Sequence, residues 1–235
     1  MEAIIKIGGS LMEKPEALKA LCNKLSEIAK KHRLLVVPGG GDFAEAVRQT
    51  EERFTLSPFV LHKMAILGMD QFGLMLSELI PDANAIASLE RSKEYWKSKA
   101  TSVFLPSKIM FRDEPLEASW DVTSDSIAAF VACRVKAEML ILAKDVDGIF
   151  NSDPAENPEA RLITELTASA LLKRKGKTGV DRYLPRLLMD RGINCYVVNG
   201  LFPERIIQVL EGKKTTCTLI ASKKAICTDS LIPKK

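Results

Sequence analysis

Histidine is almost missing from this chain: His32 and His62 are the only two among 235 residues. The five cysteines, Cys22, Cys133, Cys195, Cys217 and Cys227, form no Cys-x-x-Cys pair. Structural zinc and disulfides are therefore not expected, and cysteines set among apolar or β-branched neighbours read as small buried hydrophobes. No segment approaches the roughly 20 uninterrupted apolar residues of a membrane span. The start, Met1-Glu2-Ala3-Ile4-Ile5-Lys6, has no basic region followed by a long apolar stretch, so no signal peptide is expected and the protein reads as cytoplasmic. Charge of one sign is scarce as well. A net charge of +4, spread along the chain, gives no footprint for nucleic acid but is compatible with a basic pocket for a polyanionic small molecule.

What is present is an alternation of short apolar, β-branched runs with longer segments of helical period. Strands are predicted at 3–7, 34–37, 85–87, 103–105, 139–143, 194–198 and 217–220, with helical stretches between most of them. That rhythm predicts an α/β fold whose parallel sheet is covered on both faces. Within 16–31, Leu18, Leu21, Leu25 and Ile28 recur at steps of three and four, giving one apolar face. The helix predicted over 60–80 differs, because its apolar residues point around nearly the whole circumference. Such a helix is central in the core or shared between the core and a subunit interface, and the interface is favoured. Residues 111–120 are the expected boundary between two lobes, and the residues from about 224 read as a frayed tail.

The first strand runs into Gly8-Gly9-Ser10, and the second into Gly39-Gly40-Gly41-Asp42 ahead of a helix. Glycines there let the backbone approach a ligand, while a helix N-terminus adds about half a positive charge. Two phosphate cradles are thus expected beyond the carboxyl ends of the strands. Lys6 sits in a buried-type strand, where a charge is costly without a partner or ligand. No Gly-x4-Gly-Lys-Ser/Thr occurs, so a P-loop is unsupported; Gly39 to Ala44 fits Gly-x-Gly-x-x-Gly/Ala, but after the second strand rather than the first, against a dinucleotide fold. Thr123-Ser124-Asp125-Ser126 opens another helix, where one of these residues serves as a cap. The strand at 139–143 delivers Lys144, Asp145, Asp147 and Gly148 at its end.

Lys6 to Ser10, Gly39 to Gly41, Thr123 to Ser126, Asp145-Val146-Asp147-Gly148 and Asp153-Pro154 stand in an order that resembles the amino-acid-kinase superfamily. The resemblance implies a three-layer α/β/α sandwich with a central, mostly parallel sheet over residues 1–222, with an acceptor-binding lobe (1–118), a nucleotide-binding lobe (119–222) and a tail (223–235). It implies ATP, with Mg²⁺ carried on the nucleotide phosphates. Lys6 would stabilise the transferring phosphoryl group and Asp125 would orient it. Gly8, Gly9, Ser10, Lys144, Asp145, Asp147, Gly148, Phe150, Asn199 and Gly200 would bind nucleotide. Gly40, Gly41, Asp42, Thr123 and Ser124 would meet the acceptor, with His62, Lys63 and Lys108 at its phosphate and Asp42 or Asp70 at an ammonium. Where many members carry a second lysine in Gly-Met-x-x-Lys, this chain reads Gly179-Val180-Asp181-Arg182, and Arg186 is the candidate replacement, with different geometry and hydration.

No histidine follows the second glycine loop, unlike isopentenyl phosphate kinases. Pro38 to Ala44, His62 to Ala65, Leu105 to Ile109, Ser119-Trp120 and Tyr196 to Gly200 are instead similar to the (aminomethyl)furanylmethyl phosphate kinases of methanofuran biosynthesis. The implied reaction converts a phosphomonoester bearing an amine into its diphosphate, in a homodimer or higher homo-oligomer. The alternatives are a kinase of the same fold acting on isopentenyl phosphate or a nucleoside monophosphate, and a non-catalytic nucleotide-binding regulatory protein.

Overall fold

The structure is a computed structural model that describes residues 2–174, 176 and 178–222. The expected tail and Cys227 lie outside the described residues. The first strand, β1 (Ala3–Ile7), is buried along its whole length. A 3₁₀ turn (Gly9–Glu13) leads into α1 (Pro15–Ala29), whose leucine stripe and Ile28 are buried as its period demands. Next come β2 (Leu34–Pro38), α2 (Gly41–Glu51), α3 (Pro58–Leu79), β3 (Asn84–Ile86), α4 (Ser92–Ser98), β4 (Ser102–Phe104) and α5 (Ser107–Asp113). The second half holds α6 (Ser124–Arg134), β5 (Met139–Lys144), β6 (Ile149–Phe150), β7 (Leu162–Ile163), β8 (Glu165–Thr167), α7 (Ala168–Leu172), α8 (Leu184–Arg191), β9 (Asn194–Asn199), α9 (Glu204–Leu210) and β10 (Cys217–Ala221).

Eight strands form one sheet in the order β3-β4-β2-β1-β5-β9-β10-β8, and β6 and β7 make a separate hairpin. Parallel pairing runs from β3 through β9; β10 then pairs antiparallel to β9 and parallel to β8. The fold is the predicted three-layer α/β/α sandwich, with one reversal that apolar periodicity does not encode. Because successive side chains alternate between faces, Ile4, Leu140 and Leu142 enter a core beneath α6 and α8, while Ala3, Ile5 and Ile7 enter a second core beneath α1 and α9. Each core draws residues from both sides of residue 118.

Helix α3 contributes Ile66 and Met69 to one core and Phe72 and Leu76 to the other. Among the described residues it alone is long and apolar enough, by length and composition, to cross a membrane. It also carries Lys63, Asp70 and Glu78, and its buried residues pack on sheet and helices as a core helix does. Its outer face leaves Val60, Leu67, Leu74 and Met75 exposed.

Candidate active site

Lys6 pairs in register with Leu142, and Lys144 lies two residues further along β5. Alternation therefore puts both lysines on the face covered by α6. The first turn of that helix supplies Asp125, where the helix dipole favours a carboxylate. Lys6 Nζ lies 2.9 Å from Asp125 Oδ1, and Lys144 Nζ donates to Asp125 Oδ2 at 2.8 Å. Side-chain exposures are 5% for Lys6, 3% for Asp125 and 14% for Lys144, so the triad is withdrawn from water but open at the Lys144 end. Burial alone would raise the Asp125 carboxyl; the charges and hydrogen bonds of Lys144 and Lys6 reverse this and hold it far below the usual carboxylate range. Burial lowers the Lys6 ammonium from its ordinary value, against the pull of Asp125.

The two glycine loops meet each other beyond the carboxyl ends of β1 and β2. A Cβ on Gly9 would overlap Gly41 N and come within 2.6 Å of Gly41 Cα, and one on Gly39 would stand 2.7 Å from Gly9 N. Gly41 itself has φ +54°, in the left-handed region that favours glycine. The close approach anticipated for a ligand is thus made first by one loop on the other. Gly9, Ser10, Gly40, Gly41, Asp42, His62, Thr123 and Ser124 line a single cavity of about 590 Å³. Gly9 and Ser10, expected on nucleotide, accordingly share their space with the residues expected on the acceptor.

The wall of this cavity is acidic. Glu13, Asp42, Glu45 and Glu51 line it against Arg48 and His62. The Arg48 guanidinium is held by Glu45 at 3.3 Å and stacks 4.5 Å above the Trp120 ring, while Trp120 Nε1 donates to Glu51 at 2.8 Å. Burial lowers the His62 imidazole from its usual value, which favours the neutral ring.

Other predicted residues fall elsewhere. Lys63 points to a small neighbouring cavity, paired with Glu114 at 3.2 Å and 4.0 Å above the Phe59 ring. Lys108 is exposed on α5, and Asp70 accepts from the N–H (3.2 Å) and the hydroxyl of Ser107 at the start of that helix. Gly8 donates its N–H to Ala143 O at 2.7 Å. Asp145 is exposed beyond β5. Asp147 accepts from Asn199 at 2.9 Å and from Arg205 at 2.5 Å, and these contacts hold its carboxyl below the usual range. Gly148, at φ +152°, abuts Thr218, so packing and backbone conformation require a glycine there, whereas Gly200 faces only the movable tip of Leu11. The Phe150 carbonyl accepts from Arg174 at 3.1 Å.

Arg186 is exposed, 5.8 Å from the Tyr183 ring, and lines a second cavity of about 400 Å³ with Arg174, Arg182, Thr178 and Asp181. No contact links it to Lys6 among the described residues; the cation that shares Asp125 with Lys6 is Lys144. Sequence reasoning passed over Asp181, whose carboxylate meets both α6 and α8. The signal was an Asp three residues ahead of a helix that starts Leu184-Pro185.

The sequence profile of the amino acid kinase family matches residues 1–199. The chain is 37% identical over 220 residues to the [5-(aminomethyl)furan-3-yl]methyl phosphate kinase of Methanocaldococcus jannaschii, covering 92% of this chain and 96% of that protein. It is 26% identical to the uridylate kinase of Methanococcoides burtonii, over 89% and 91% of the two chains. In three dimensions it resembles the crystal structure of uridylate kinase from Archaeoglobus fulgidus, with a TM-score of 0.73, 22% identity, and coverage of 94% and 100%.

Proposed function

The chain belongs to the amino acid kinase family, and we propose that it transfers the γ-phosphoryl group of ATP to a small phosphomonoester that carries an amine. The observation that carries the phosphotransfer reading is the buried Lys6–Asp125–Lys144 triad at the carboxyl ends of two adjacent strands, beside two cavities. Phosphoryl transfer needs in-line positioning and charge neutralisation rather than a covalent nucleophile. Lys6 and Lys144, held by one carboxylate, supply two oriented ammonium groups for the oxygens of the transferring group.

The acceptor would occupy the 590 Å³ cavity, its phosphate against the amides of Gly9, Gly40 and Gly41 and the hydroxyls of Ser10 and Ser124. Asp42 and Glu13 offer counter-charges for an ammonium at the far end. Of the four carboxylates in this wall, Glu45 is held by Arg48 and Glu51 takes the Trp120 N–H, which leaves Asp42 and Glu13 to face an ammonium, while Leu61, Ala65, Ile66 and Met69 give an apolar surface for the rest of the acceptor. This favours [5-(aminomethyl)furan-3-yl]methyl phosphate, the substrate named for the Methanocaldococcus jannaschii relative. The nucleotide would lie toward the second cavity, where Arg174, Arg182 and Arg186 can meet phosphate oxygens, and toward the exposed Asp145 loop. Among the described residues no three His, Cys, Asp or Glu come together as metal ligands. Magnesium would be carried on the nucleotide's phosphates, where it would supply charge neutralisation. The exposed stripe of α3 would pair two copies of the chain.

An ATP-consumption assay with magnesium and three acceptors tests the reading: the aminomethylfuran phosphate, uridine monophosphate and isopentenyl phosphate. Turnover is expected to be highest with the first. Preference for uridine monophosphate would reassign the acceptor, and tight ATP binding without turnover on any acceptor would make the chain a binding protein.

A further inference from the structure

Asp181 stands three residues before α8 and carries more polar contacts than a cap requires. Its Oδ2 accepts from the Thr123 N–H and Oγ–H and from the Ser126 N–H, each at 2.9 Å. Its Oδ1 accepts from the Ser126 Oγ–H at 2.6 Å and the Leu184 N–H at 2.8 Å. Five donors on two oxygens are matched by an ionised carboxylate, which accepts at both and donates at neither. One side chain thereby caps the N-termini of α6 and α8 together. Its own N–H donates to Asp125 Oδ2 at 3.2 Å, the same oxygen that receives Lys144.

Asp181 also lies between the cavities. It lines the arginine-rich one, while its partner Thr123 lines the acidic one. Two buried ammonium groups and the single carboxylate of Asp125 leave one positive charge over; the Asp181 carboxylate cancels it, its carboxyl raised by burial and by the charge of Asp125 and lowered by the hydrogen bonds from Ser126 and Thr123. We infer that Asp181 is a positioning residue for the phosphoryl-transfer triad: it locks Asp125 and the α6 N-terminus between the two cavities and supplies the second negative charge that balances Lys6 and Lys144.

This inference rests on the assignment of Lys6 to phosphoryl transfer. The charged groups around Asp181 agree with it. On the sheet side are Lys6, Lys144 and the buried Cys195 thiol, which burial raises well above its usual value, with Asp125 on α6; across the second cavity are Arg174, Arg182 and Arg186, with Glu117 and Asp121. Burial lowers the Lys6 ammonium, Asp125 raises it, Lys144 lowers it, and Asp181 raises it again. Removing the charge of Asp181 therefore makes Lys6 lose its proton at lower pH.

The test compares wild type, Asp181→Asn, Asp181→Glu and Ser126→Ala. Asp181→Asn keeps the size but loses the charge and turns an NH₂ toward donors. It is expected to lower kcat about thirtyfold, with both KM values within about threefold, and to move the alkaline limb of the kcat profile to lower pH by about half a unit or more. A ¹³Cε titration of Lys6 should show the same displacement without turnover. Asp181→Glu keeps the charge and displaces the oxygens, so kcat should fall with the limb at its wild-type position. Asp181→Asn with kcat within threefold of wild type, or with an unmoved Lys6 titration, would overturn the inference. Should Asp181→Asn fail to fold, Ser126→Ala removes one donor and keeps the charge; kcat several-fold lower at unchanged KM supports the inference, and wild-type kcat overturns it. An inactive wild type, or a fully active Lys6→Ala variant, would instead remove the phosphotransfer reading itself.

Discussion

Replacing Asp125 by Asn leaves the shape of the site nearly untouched and removes the one charge that Lys6 and Lys144 share. At 2.9 and 2.8 Å, and with an effective dielectric constant of about 20, each ion pair is worth about 6 kcal/mol of Coulomb attraction before desolvation is counted. The net cost of breaking such a buried arrangement from one side is roughly 3–5 kcal/mol, because uncompensated charges stay behind. That is a large share of the roughly 5–15 kcal/mol that holds a domain folded. Asn can accept from one lysine only, and its NH₂ faces the other. Adding Lys6→Met to this variant should restore part of the loss, since one cation is then gone, whereas Lys6→Met alone keeps the Lys144–Asp125 pair. Urea unfolding of the four proteins gives the cycle. Contributions that add to within about 0.5 kcal/mol would refute the claim that one carboxylate serves both lysines. The pH dependence of Asp125→Asn carries the sign. Lys6 in the folded chain titrates below 10.5, its unfolded value. Between those two points the unfolded chain binds more protons, so the variant should gain stability as pH rises through that window.

Lys6→Ala should lower turnover about a hundredfold or more with the fold intact, and near-normal activity would remove Lys6 from the chemistry. Gly9→Ala drives a Cβ into the Gly41 backbone, whereas a Cβ on Gly41 meets the movable tip of Met12. The first should cost about 2–4 kcal/mol in urea unfolding and the second less, about 1–2 kcal/mol including its positive φ; the reverse order would contradict the loop contact. Asp42→Asn should raise the apparent KM of an amine-bearing acceptor about tenfold and leave that of ATP within about twofold, and equal effects on both substrates would place Asp42 outside the ammonium subsite. Since the folded Asp125 carboxyl titrates below its unfolded value of 3.8, its stabilisation is complete above that pH and lost as pH falls below it, which acid unfolding of wild type against Asp125→Asn will show as a converging pair of curves.

The strands that frame the site could be read from the sequence because each is a short apolar run buried on both faces, as β1, β2 and β5 are. The two glycine loops were legible because consecutive glycines after a strand mark a close backbone approach. What the loops touch was not legible. A contact between Gly9 and Gly41 joins residues that no periodicity relates, and so does the sharing of Asp125 by Lys6 and Lys144. The direction of β10 was hidden because an apolar run reads the same either way. Strands β6, β7 and β8 hold two or three residues each, too few for a period. Lys63 and Lys108 illustrate the opposite failure, since a lysine beside a motif carries the same letter whether it lines a cavity or rides on a solvated helix.

Thr218 of β10 takes the N–H of Ile149 on its hydroxyl at 2.8 Å and donates that hydroxyl to Ile163 O at 2.6 Å, with Gly148 pressed against it. Strand β8 pairs with the sheet through β10 alone. During synthesis, then, the ribosome completes both lysines and Asp125 some seventy residues before the clasp that fixes the loop after Lys144. Until residue 218 has emerged, the hairpin of β6 and β7 lacks its anchor and β8 has no neighbour. The part of the site encoded early is thus finished by a residue encoded late.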